Sequence, residues 1–129
     1  MPEKNEDDEK TRIRNLNDLF RFSGRGGRIV STQGIQALST LDQAAVIEKI
    51  RLFDAFTQAN DPHGEHDFGS IQHNGEKVFF KIDYYDQSME CGSENPADPT
   101  KTVRVMTVML ACEYWGMATI RDKMGQSGP

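Results

Sequence analysis

An α+β fold is predicted for this 129-residue chain by three features: a broad apolar helical stretch near residues 41–57, an Asn-Gly pair between two strand-like runs, and a β-branched run after residue 100. Helical patterns come first and strand patterns follow. The expected architecture is an N-terminal helix, a short strand, and one long helix packed on a small antiparallel β-meander of about three strands. Each element rests on its own local signal.

Residues 1–10 hold no apolar side chain after Met1 and carry five carboxylates against two lysines, so an acidic disordered tail is expected there. From Thr11 to Phe22, Ile13, Leu16, Leu19 and Phe20 recur at helical spacing, opposite the arginines. Ser23-Gly24-Arg25-Gly26-Gly27 then stops the helix. Arg28 to Thr32 reads as a short strand bounded by turn residues. The long helix is expected from about Leu41 to Thr57, opened by a capping box of Thr40 and Gln43 and ended before Asn60-Asp61-Pro62.

Asn74-Gly75 is the signal for a two-residue hairpin turn between Asp67–His73 and Glu76–Tyr85. That turn pairs residues whose numbers sum to 149, placing Ile71 opposite Val78, Gly69 opposite Phe80 and His66 opposite Asp83. Val78, Phe80, Ile82 and Tyr84 then share one face. Turn residues dominate 91–101, giving a loop, and β-branched residues favour a strand from Thr102 to about Ala111. The segment 116–129 is expected to be flexible, leaving one α+β domain over residues 11–115. Hydrophobic residues make up 36% of the chain, enough for one core with polar ends.

Composition excludes some classes. Two cysteines, Cys91 and Cys112, and no signal-peptide pattern argue against a secreted disulfide scaffold, and both are read as free thiols in a cytoplasmic protein. No apolar run reaches the roughly 20 residues of a membrane helix. The net charge is −5, yet residues 11–28 hold five arginines against Asp18 alone. A basic patch on an acidic body is the result, with Arg25 and Arg28 in its glycine-rich loop. That loop is no phosphate cradle, since it precedes a strand and lacks the lysine–serine ending.

The residues able to do chemistry crowd into 61–67, where His63, Glu65, His66 and Asp67 fall together. The hairpin would bring Asp83 and Asp86 to the same open end. Two histidines and several carboxylates could then hold a metal that activates water, which makes a metal-dependent hydrolase or nuclease the alternative function. The spacing matches no named zinc motif, so no metal and no cofactor are expected. His66 with Asp83 could also act as an oriented base, but no activated nucleophile accompanies it, and a cross-strand ion pair is favoured. Phe79, Lys81, Asp83 and Tyr85 form the second face of the hairpin strand. The acidic body disfavours direct nucleic-acid binding there, and aromatics beside charge suit a protein interface.

Three blocks, Asp61-Pro62-His63-Gly64-Glu65-His66-Asp67-Phe68-Gly69, Lys81-Ile82-Asp83-Tyr84-Tyr85-Asp86 and Ser93-Glu94-Asn95-Pro96-Ala97-Asp98-Pro99, resemble an uncharacterised bacterial family, one of the domains of unknown function. With Arg104-Val105, Met109-Leu110, Glu113-Tyr114 and the Asn15–Phe20 helix, the resemblance runs over roughly residues 12 to 115. It implies a small cytoplasmic product, often carried on plasmids and other mobile elements, with no established catalytic residues. By analogy it implies a non-enzymatic counter-defence protein of anti-CRISPR or anti-restriction type, which binds a host protein or nucleoprotein complex.

Overall fold

The computed structural model describes residues 6–114. Its first element is α1 (Glu6–Ser23), which starts five residues before the expected Thr11. The acidic segment is helical because Glu and Lys are strong helix formers and carboxylates suit the positive end of the helix dipole. Residues 1–5 of the expected tail lie outside the described residues. The inward face of α1 also differs from the expected one: Ile13, Asn17, Phe20 and Arg21 are buried, while Leu19 is 61% exposed. Arg21 therefore leaves the basic surface patch. The helix ends where Gly24, at φ 75°, donates its N–H to the Phe20 carbonyl at 2.7 Å.

Next come β1 (Gly27–Ser31), the short α2 (Gln33–Gln36) and α3 (Thr40–Arg51). No pattern announced α2. Glu113 organises it from the far end of the chain by accepting the Thr32 hydroxyl and the Gly34 and Leu110 N–H groups. The cap of α3 is Ser39, whose hydroxyl accepts the Asp42 N–H at 3.0 Å, one residue before the expected Thr40. Gln43 instead donates to the Gln36 and Leu38 carbonyls. The helix also ends at Arg51 rather than Thr57. Beyond it Arg21 captures the Phe53 carbonyl at 3.1 Å, and the departing chain carries Phe53 and Phe56 onto Phe80.

The remaining strands are β2 (Phe68–His73), β3 (Glu76–Tyr85) and β4 (Val103–Leu110). Asn74 and Gly75, both at positive φ, make the expected turn, and the register pairs Ile71 with Val78 and Gly69 with Phe80. A side chain at position 69 would overlap the Phe80 ring. The sheet has four strands in the order β1-β4-β3-β2, rather than three, and it is mixed: β1 runs parallel to β4. The helices and the hairpin between those two strands supply the long crossover that a parallel pair requires.

One face of the sheet carries Val78, Phe80, Ile82, Met106 and Val108, all buried with Phe20, Ile35, Val46 and Ile50 in one core. On the opposite face Phe68 and Phe79 lie edge to Tyr114, which residues 111–114 place there as a helical turn. No helix among the described residues is long and apolar enough to cross a membrane. The expected flexible segment 116–129 lies outside them.

Candidate functional site

The expected pairing of His66 with Asp83 does not form. The β2–β3 ladder runs only as far as Phe68 with Lys81, and one further bond joins the Ile82 N–H to the Asp67 carbonyl. At His66 the backbone turns to φ 58° and sends the ring toward α1. There its Nδ1 lies 2.8 Å from Asp18 Oδ1, its Nε2 lies 3.6 Å from Asp61 Oδ2, and its plane stacks on Phe56 at 3.8 Å. Asp83 stays on the other face of the sheet, paired with Lys81 at 3.1 Å.

The other predicted residues are also dispersed. Glu65 accepts the Tyr84 hydroxyl at 2.7 Å. Burial and the nearby Glu65 carboxylate push the Asp67 carboxyl above its usual range. Asp86 accepts the Ser88 hydroxyl and the N–H groups of Glu90 and Cys91, which holds its pKa down and closes the loop. His63 is exposed, and Tyr85 stands half-buried at the end of β3. Among the described residues, no group of three or more His, Cys, Asp and Glu is placed to hold a metal ion. The expected convergence of His63, His66, Asp67, Asp83 and Asp86 is thereby corrected. Cys91 and Cys112 are free and exposed.

What the fold does bring together is a polar network that sequence reasoning did not single out. Asn17, with 0% exposure, donates to the Glu65 carbonyl at 2.9 Å and the Tyr84 hydroxyl oxygen at 2.8 Å. Its own Oδ1 accepts Arg104 Nε at 2.7 Å, and Arg104 Nη2 donates to the Pro96 carbonyl at 2.6 Å. The guanidinium also lies over the Tyr84 ring, 5.1 Å from its centre. Burial, followed by the bond to Glu65, pushes the Tyr84 hydroxyl well above its usual pKa, so it stays a donor. Arg21 links to Asp18 at 3.1 Å and lies over the Phe56 and Phe80 rings.

This network fastens α1 to the sheet and to the 61–67 loop. Two signals could have found it. Asn17 and Arg21 continue the Ile13–Phe20 stripe at helical spacing, and Arg104 shares one face of β4 with the buried Met106 and Val108. A polar side chain at a core-facing position implies a partner for it.

The outer side is different in kind. Arg25 and Arg28 are exposed, and among the described residues their side chains have no hydrogen bond or ion pair. Leu19, Phe22 and Leu52 line an open groove with Asp18, Arg21 and Arg51, and Ile29 and Val30 are 40% and 47% exposed along β1. The fold and these two regions define a small α+β domain with a bonded polar interior and an open apolar and arginine-bearing rim. The chain belongs to the family described as Protein of unknown function (DUF3768), whose model matches residues 31–113. Asn17, Asp18 and Arg21 lie N-terminal to that stretch. Neither the comparison with curated proteins nor that with solved structures found a match.

Proposed function

We propose that this protein is a small non-enzymatic interaction module that binds a protein partner through exposed apolar and arginine side chains at the end of α1, on β1 and at the end of α3. One observation carries the reading. Among the described residues the large exposed apolar side chains are Leu41, then Leu19, Phe22 and Leu52, which line one groove, and Ile29 and Val30 on β1. Arg25 and Arg28 stand beside them, and arginine with aromatic and aliphatic anchors is the composition of binding hot spots. The side chains suited to chemistry are engaged within the fold, since His66, Glu65, Asp83 and Asp86 all take internal partners.

The counter-defence role implied by the family resemblance is the more specific form of this proposal, with a host defence protein or nucleoprotein complex as partner. Cytoplasmic residence belongs to the same proposal and is supported by the exposed free thiols. The test is affinity purification from a bacterial lysate with the wild-type chain and with the double variant Arg25→Glu/Arg28→Glu. A stoichiometric partner held by the first and lost by the second is expected. Equal recovery by both, or metal-dependent nuclease or esterase activity of the purified chain, would overturn the proposal.

A further inference from the structure

Among the described residues, nothing pairs with the outer edge of β1. Thr32 donates its N–H to the Val108 carbonyl at 3.0 Å, so in a parallel ladder the backbone groups of Arg28, Val30 and Thr32 turn toward β4. Those of Gly27, Ile29 and Ser31 turn outward. Gln36 fills the Ser31 carbonyl at 2.6 Å. Among the described residues, no hydrogen bond reaches the outward groups of Gly27 or Ile29. Proteins commonly blunt such an edge with lysine, proline, a bulge or a covering element. Over Gly27–Ser31 the described residues supply no lysine, proline, bulge or covering element, Arg28 is the one charge, and every residue but Ser31 is exposed.

The side chains fit the same use. Gly27 faces α1, where a Cβ would run into the Phe20 ring, so alternation puts Ile29 on the α1 side and Arg28 and Val30 on the other. An added strand would therefore gain apolar contact on both of its faces. Arg25 and Arg28 set the charge at the start of the edge, and neither has an acidic partner among the described residues.

Building on the interaction reading above, we infer that β1 accepts an extended acidic segment of the partner protein as a fifth strand of the sheet. Backbone pairing supplies the affinity and the arginines select for carboxylates. A second copy of the chain is disfavoured, because its own β1 edge, Gly27–Ser31, carries no carboxylate to meet Arg28. A nucleic acid is disfavoured too, since it offers no alternating N–H and C=O groups and the chain carries a net −5.

The test uses the full chain and an end-capped synthetic peptide of alternating glutamate and valine, with a lysine–valine peptide as control. The glutamate peptide is expected to bind and to slow hydrogen exchange at the Gly27 and Ile29 amides. Arg25→Glu/Arg28→Glu should weaken it by about tenfold or more while leaving the melting temperature in place. Ile29→Pro removes an outward donor without touching the β4 ladder, and should abolish binding. Should that variant fail to fold, the charge reversal still decides. Binding of the lysine peptide to the same extent would overturn the inference. So would protection confined to other amides, or a concentration-dependent dimer that Ile29→Pro dissolves. A lysate partner that depends on Arg25 and Arg28, alongside a silent glutamate peptide, would remove strand addition alone and leave the interaction reading standing.

Discussion

Arg21 and Arg104 on one side and Arg25 and Arg28 on the other carry the same side chain into opposite circumstances. The first pair is buried, with its charge held by Asp18, Asn17, backbone carbonyls and aromatic faces. The second pair stands in solvent beside an unpaired strand edge. Arg21 and Arg25 are only four residues apart, so local sequence scarcely separates them. Burial does. An arginine inside a fold calls for partners, which Arg21 finds at its terminal nitrogens though not at its buried Nε, and it then ties elements together, whereas an arginine at the rim is left for something outside.

The sharpest way to break this comparison is Arg104→Met, which preserves bulk but leaves Asn17 Oδ1 and the Pro96 carbonyl without their donor. A loss of about 3 kcal/mol in urea denaturation is expected. A loss below about 1 kcal/mol would mean that the interior network does not hold α1 in place.

At the start of α3 the cap is Ser39 rather than Thr40. Ser39→Ala should cost about 1 kcal/mol and Thr40→Ala no more than about half of that. The reverse order in thermal melts would restore Thr40 as the cap. Asp67 sharpens the comparison from the acidic side. Its folded-state pKa is raised above the ordinary 3.8 by burial, so its ionised form weakens the fold at neutral pH. That penalty fades as pH falls through the raised value and is gone below 3.8. Asp67→Asn should therefore stabilise by about half a kcal/mol at pH 7, with a gain that shrinks on acidification. A melting-temperature gain that grows toward low pH would contradict the assignment.

The smallest effect belongs to the rim. Arg25→Ala with Arg28→Ala should change stability by less than about 0.5 kcal/mol, because both side chains are exposed and neither has a partner among the described residues. A larger loss in the same denaturation experiment would show that the rim arginines are part of the fold, and the contrast between the two pairs would collapse.

The hairpin was legible because it is local. Asn74-Gly75 requires a turn of one type, and that turn dictates the register through Phe68 and Lys81. The same rule failed one step further on, where it pairs His66 with Asp83. A ladder continues only while the backbone stays extended, and His66 leaves that region at φ 58°. The candidate site was legible as a list of reactive residues but not as an arrangement, since Asp18 and Asp61, the carboxylates beside His66, come from α1 and from the loop that closes on it.

By itself the sequence determined the fold class, the hairpin and its register, the strand after residue 102, the free thiols and the place of the basic run. Only the tertiary structure decided that β1 joins β4 in parallel, that Asn17 meets Arg104 across 87 residues, and that His66 meets Asp18 across 48. Turns and periodicity are written in neighbouring residues, because a few dihedral angles and one apolar face settle them. A contact between distant segments leaves no such period, and it forms only when burial of the whole core brings its two ends together.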